Sequence, residues 1–150
     1  MKKLLKNKKI VFFDIDYTLF DCDIFKKSNL KEYKNYDEVE KVLKDLSKKL
    51  SLGIFSEGVK NFQEKKLEIT GIKKYFNSND VYILQRKNLS IKEVFKRYKE
   101  DSVFLVDDKL TILSEVKILC PFVFTVWLKR GVYAENEKNV KEFIPDAEIK

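Results

Sequence analysis

Histidine is absent from the 150-residue sequence, and that absence removes many familiar catalytic centres at once. Without an imidazole there is no Ser-His-Asp or Cys-His nucleophilic site, no histidine general base and no histidine-ligated zinc or iron. Cysteine is nearly as scarce. Cys22 and Cys120 are the two thiols; with no CxxC spacing they suit a reduced, cytoplasmic protein better than a disulfide framework. Acid–base and metal chemistry is left to carboxylates, Lys, Tyr and Cys, and the hard oxygen ligands in that set favour Mg²⁺. No apolar run approaches the roughly 18–20 residues that span a bilayer; the most apolar stretches are residues 10–13 and 121–128. The basic start, Met1-Lys2-Lys3-Leu4-Leu5-Lys6, leads into no long apolar segment, so neither a secretory signal nor a membrane partner is expected.

Glycine and proline are sparse, at four and two residues, and no repeat, low-complexity segment or flexible linker interrupts the chain. One domain over residues 1–150 is expected, and 44% apolar residues are enough to build its core. The net charge of +7 is carried almost wholly by lysines spread along the chain, since arginine occurs only at Arg86, Arg97 and Arg130. Scattered lysines read as a solvated surface ahead of a nucleic-acid face.

What is present is an alternation of strands and helices. Residues 9–14 (KIVFFD) form a short apolar, aromatic and β-branched run suited to a buried parallel strand. Residues 37–49 place Val39, Val42, Leu43 and Leu46 at helical spacing, with Asp37 as N-cap. Strands are predicted at 50–56, 81–84, 102–106 and 122–128. Helices are predicted over 59–70, stopped by Gly71, then from a capping box at Ser90–Glu93 through Tyr98, and over 110–119. The pattern implies an α/β fold, a doubly wound parallel sheet with helices on both faces.

In such sheets ligands bind beyond the carboxyl ends of the strands. Those positions hold Asp14 and Asp16, then Ser56, then Lys87, then Asp107 and Asp108. Four carboxylates on one rim repel one another unless a cation neutralises them. A divalent metal and a lysine do so, and the same pair accepts a phosphate. Plainer roles compete: Ser56 also suits an N-cap, and Asp107 and Asp108 suit the dipole of the helix that follows. Asp21 and Asp23 read as members of a solvated loop.

Asp14-Ile15-Asp16-Tyr17-Thr18-Leu19 resembles the first motif, DxDxT, of the haloacid dehalogenase (HAD) superfamily of phosphotransferases. Ser56 matches the second motif, and Phe104-Leu105-Val106-Asp107-Asp108 the fourth in its paired-acid form. Lys87 best suits the third motif, with Arg86 and Lys74 as alternatives; many relatives carry Lys-Pro where this chain has Lys87-Asn88. The resemblance runs from Lys9 to Arg130. It implies a Rossmann-like core and a phosphomonoester hydrolase working through an aspartyl-phosphate, with phosphomutase or phosphotransferase chemistry as an alternative on the same site. Asp14 is then the nucleophile and Asp16 the general acid and base. Ser56, Glu57 and Lys87 bind the substrate phosphate. Asp14, the carbonyl of Asp16, Asp108 and Asp107 hold Mg²⁺.

Cap domains of this superfamily are inserted between the first and second or the second and third motifs, and neither interval here has room for a large one. Residues 21–36 are expected to form a flap or small lid. An open site then takes a small phosphorylated molecule or a bulky one, or is covered by a second copy of the chain. Phe25, Tyr33 and Tyr36 among Lys26, Lys27, Lys31 and Lys34 suit either a nucleic-acid platform or a lid over a sugar phosphate. Two other classes compete: a catalytically silent binding module on the same fold, and a receiver-type signalling domain. The receiver order of motifs, with its acid pair after the first strand, differs from the order here.

Overall fold

The computed structural model describes residues 8–136, 140 and 142–150. The N-terminal residues 1–6, read above as lacking a signal, lie outside them. Six strands form one parallel sheet: β1 (Lys9–Phe13), β2 (Ser51–Glu57), β3 (Val81–Leu84), β4 (Ser102–Asp107), β5 (Val123–Leu128) and β6 (Ala147–Ile149). Their order is β3-β2-β1-β4-β5-β6, so the chain winds outward from β1 in one direction and then crosses to β4 and winds in the other. The reversal falls between β1 and β4, where their carboxyl ends leave a crevice.

Alternation along β1 divides the core between two faces. Val11 and Phe13 join Leu52, Ile54 and Val106 on one face. That face is covered by α2 (Val39–Ser47) and α3 (Lys60–Ile69), which contribute Val39, Leu43 and Leu67. Ile10 and Phe12 join Phe55, Val103, Leu105 and Val123 on the other. There α4 (Ile91–Phe95) and α5 (Leu110–Leu119) supply Val94, Phe95, Leu113 and Val116. The doubly wound sheet with helices on both faces is the observed architecture. Among the described residues no helix is long and apolar enough to cross a membrane, and no separate cap domain is present.

The local signals were less reliable than the periodicity. Asp37 does not cap α2; Glu38 occupies the N-cap without a side-chain bond, and Asp37 instead pairs with Lys34 at 3.3 Å. Val42 is 43% exposed rather than in the core. Ser90 makes no capping bond, and the helix expected through Tyr98 is a single α-helical piece flanked by 3₁₀ turns at Lys87–Ser90 and Lys96–Tyr98. Gly71, at φ 76°, does end α3 in the left-handed conformation that glycine adopts without strain. The short β6 and a helix α6 (Gly131–Asn136) add to the elements predicted from the sequence.

Gly53 allows the closest approach in the sheet. A Cβ there meets the Asp80 carbonyl oxygen and two Phe12 ring carbons at 2.7 Å. Gly53→Ala is therefore expected to destabilise the fold by about 1–3 kcal/mol through overpacking, read as a lower midpoint in thermal unfolding followed by circular dichroism. An unchanged midpoint would contradict the contact.

Candidate active site

Asp14 extends β1 by one step, its N–H donating to the Val106 carbonyl at 3.1 Å. That bond sets Asp14 beside the end of β4, where Asp107 and Asp108 follow. The chain then doubles back: the N–H groups of Thr18, Leu19 and Phe20 converge on the Ile15 carbonyl. The turn is made with Tyr17 at φ 61°, a conformation that costs a bulky residue about 1 kcal/mol or more. Thr18 turns inward, its hydroxyl 3.5 Å from Asp14 Oδ2.

Three carboxylates meet here. Asp14, Asp107 and Asp108 are buried, and an oxygen of each lies within 4.8 Å of the other two. Lys87 reaches them from the segment after β3, with Nζ 2.6 Å from Asp107 Oδ2, 3.1 Å from Asp14 Oδ1 and 3.4 Å from the Phe55 carbonyl. Burial alone would push this ammonium down, but Asp107 and Asp14 outweigh it and the Lys87 pKa is raised. Arg86 and Lys74, the alternatives for this position, are both exposed, and Lys74 lies over the Tyr75 ring.

Asp108 is the group without compensation. It is 0% exposed, and neither of its carboxylate oxygens has a hydrogen-bond partner. Burial first, then the charges of Asp14 and Asp107, push its pKa up to about 10. Asp14 is raised as well, by burial ahead of Asp107 and against the pull of Lys87. A buried carboxylate without a donor is costly, and three hard oxygens at this spacing suit a divalent cation such as Mg²⁺. The donor set therefore fits the metal inferred from the sequence.

Above the cluster opens a cavity of about 530 Å³, lined by Asp14, Asp16, Glu57 and Lys87 on one side and by Tyr17, Lys26, Phe62, Lys109 and Tyr133 among the rest. Ser56, Asp107 and Asp108 lie behind this lining, each fully buried. Asp16 is brought to the cavity but not into the Asp14 cluster. Its Oδ1 accepts from Lys66 Nζ at 2.7 Å and its Oδ2 from Gln63 Nε2 at 3.3 Å. The same Gln63 nitrogen lies 3.3 Å from Ser56 Oγ and 3.3 Å from the Glu57 carbonyl.

Several sequence expectations change at this level. The N-caps of α3 and α5 are Val59 and Lys109, so Ser56, Asp107 and Asp108 do not serve as caps. Asp107 does accept the Lys109 N–H at 2.8 Å, closing the turn. The Glu57 carboxylate, expected near phosphate, is held by the Lys87 backbone N–H at 3.1 Å, and an acid facing a phosphate would repel it. Asp21 caps α1 (Cys22–Lys27) rather than sitting in a solvated loop. Residues 21–36 fold as this short helix and a return, tied by Asp21 N–H to the Lys34 carbonyl. The rings of Phe25 and Tyr33 pack on each other at 5.0 Å, and Tyr36 lies under Arg130. Phe25 is buried, which leaves the half-buried Tyr33 and Tyr36 as the rings of that segment with exposed surface. Cys22, at the cavity wall, is pushed up to about 12 by burial and then by Asp16, which leaves it a thiol with no nucleophilic role.

Sequence reasoning missed Lys66 and Gln63. Their partner Asp16 is 50 and 47 residues away, and nothing local distinguishes Lys66 from the other lysines of α3.

No protein-family model matches the chain, and no curated protein sequence matches it. Solved structures do. A protein of Burkholderia xenovorans, described as a haloacid dehalogenase-like hydrolase, superposes with a TM-score of 0.77 at 20% identity, covering 96% of this chain and 93% of that one. A magnesium-bound protein of Bacillus subtilis, described as a HAD-hydrolase, gives 0.72 at 16% identity over 96% and 95%. A haloacid dehalogenase-like family hydrolase of Streptococcus pneumoniae gives 0.66 at 12% identity over 94% and 93%. At these identities the likeness is one of architecture, and it spans nearly the whole of each chain: this protein has the fold of the haloacid dehalogenase-like hydrolases.

Proposed function

We propose that this chain is a Mg²⁺-dependent phosphomonoester hydrolase that works through an aspartyl-phosphate on Asp14. The observation that carries the reading is Asp108, a fully buried carboxylate with no hydrogen-bond partner, one oxygen of which lies within 4.8 Å of an oxygen of Asp14 and of Asp107. A stable fold has little use for that arrangement without a cation. The magnesium carried by the B. subtilis protein of the same fold supports the choice of metal.

Asp14, Asp108 and the carbonyl of Asp16 would hold the ion. Asp107, committed to Lys87 at 2.6 Å, supports the site mainly through that lysine. Bound Mg²⁺ supplies charge compensation for the phosphoryl group as it transfers. An oxygen of Asp14 attacks phosphorus in line; the bond from phosphorus to the leaving oxygen breaks, and Asp16 gives that oxygen a proton. Asp16 then takes a proton from water as it attacks the same phosphorus, releasing inorganic phosphate and restoring Asp14. Lys87, within 3.1 Å of Asp14, stabilises the negative charge that spreads over the transferring oxygens. The cavity is open at its mouth, so the substrate is a phosphorylated molecule not bounded in size by a cap.

The test is hydrolysis of 4-nitrophenyl phosphate by the wild-type chain with Mg²⁺ and again with EDTA. Release of 4-nitrophenolate that the chelator suppresses is expected. No release with Mg²⁺ would return the protein to the silent binding module, and release that survives EDTA would remove the metal role of Asp108.

A further inference from the structure

Lys66 is 4% exposed although it carries a charge. Its Nζ lies 4.5, 5.0 and 5.9 Å from the ring centroids of Phe62, Phe20 and Phe25, and 2.7 Å from Asp16 Oδ1. Gln63 sits three residues earlier on α3, so both side chains project from one helix face. Between them they bind both oxygens of Asp16. An apolar side chain would fill the three-ring box at least as well, since a buried ion pair often adds no net stability over apolar packing. The box instead holds an ammonium aimed at Asp16, an acid that lines the cavity but stands apart from the Asp14 cluster.

The need for such a hold is physical. Asp16 precedes the left-handed residue Tyr17, and its side chain is 36% exposed. Among the described contacts the Cys22 thiol, a weak donor, is its other side-chain partner, so Lys66 and Gln63 are the groups that fix its two torsions. A general acid acts only within hydrogen-bond reach of the leaving oxygen, and a misplacement of about 1 Å costs on the order of 100-fold in rate. We propose that Lys66, assisted by Gln63, is the positioning residue for Asp16, holding its carboxylate in the orientation that delivers a proton to the leaving oxygen. Through Gln63 the same helix ties that orientation to Ser56 and the Glu57 carbonyl. The inference rests on the phosphohydrolase reading above.

The experiment compares two substrates in full-length protein with saturating Mg²⁺. Glycerol 2-phosphate must lose an alkoxide, which needs a proton; 4-nitrophenolate leaves without one. The ratio kcat/KM reports the steps through formation of the aspartyl-phosphate. Lys66→Met, whose side chain fills the same box, is expected to lower kcat/KM for glycerol 2-phosphate roughly tenfold or more, the scale of general acid catalysis, and to leave 4-nitrophenyl phosphate nearly unchanged. In a D16N background the same substitution should cost nothing further. Lys66→Gln is the second variant if Lys66→Met does not fold, and it is expected to show the same selectivity. Equal losses on both substrates, or an additive loss in the D16N background, would overturn the proposal and leave Lys66 a structural or substrate-contacting residue. Wild-type protein inactive on both substrates would instead overturn the hydrolase reading itself.

Discussion

Replacing Asp14 with Asn is expected to abolish Mg²⁺-dependent phosphatase turnover, by roughly 10³-fold or more as for the loss of other enzymic nucleophiles, while the chain still folds. The amide keeps the shape of the carboxylate, and its oxygen still accepts from Lys87, now 3.1 Å from Oδ1. What it lacks is the charged oxygen that attacks phosphorus. The stability consequence has a definite sign. Asp14 and Asp108 both have raised pKa values, Asp108 to about 10 from an ordinary 3.8. An acid raised in the folded state keeps its proton after the unfolded chain has lost it, so the unfolded state binds fewer protons. The metal-free protein therefore loses stability as pH climbs from near 3.8 toward 10. Asn at position 14 removes one contributor and one repelling neighbour of Asp108, so the variant should lose less between pH 4 and pH 7 in EDTA. Thermal melts at the two values check this, and turnover with 4-nitrophenyl phosphate checks the chemistry. Full activity in D14N would end the nucleophile assignment.

The strands were legible because each is a short apolar run whose burial leaves little choice of conformation. KIVFF, SLGIFSE and SVFLVD announce the three central strands of the sheet, and their carboxyl ends carry the acids. What the sequence withheld is of two kinds. Caps and helix ends hang on single hydrogen bonds, and Asp37 and Ser90 both had the right chemistry without making the bond. The edge strand Ala147–Ile149 is three residues long and gains its conformation only by pairing with β5. The candidate site divides the same way. Asp14, Asp107 and Asp108 could be placed together because topology alone brings the ends of β1 and β4 side by side. Lys66 could not, since its position depends on the pitch of α3 and on an aromatic box drawn from residues 20, 25 and 62. The Glu57 side chain illustrates the reverse: strand order puts it near the rim, but its own hydrogen bond to residue 87 decides which way it faces.

Lys87→Met should be the most destabilising single change at the site. The ammonium is 2% exposed and donates to both Asp107 and Asp14, while Asp107 itself has no exposed surface. Methionine fills similar volume and supplies no charge. It leaves three neighbouring carboxylates with the Lys109 N–H on Asp107 and the Thr18 hydroxyl near Asp14 as their remaining donors among the described contacts. Breaking a buried pair from one side costs about 3–5 kcal/mol. For a domain near this size that corresponds to a fall in melting temperature of roughly 6–20 °C. Lys87 has a raised pKa, so its stabilisation is fully present below the ordinary lysine value of 10.5 and is lost only as pH rises through the higher folded value. The lysine itself therefore does not titrate near neutral pH. Its removal, however, leaves Asp14 and Asp108 without the cation that pulls their pKa values down, so the difference between wild type and variant should widen as pH rises from 4 to 7. Added Mg²⁺ should restore part of it, because the ion binds the folded carboxylates and neutralises what the lysine no longer does. Activity should not return with stability. The transferring phosphoryl group would still lack a positioned cation, a loss on the scale of about 10²–10³ in kcat. Melts with and without Mg²⁺, beside 4-nitrophenyl phosphate turnover, separate the two roles, and a variant that melts with the wild type would show that Lys87 does not hold the acid cluster together.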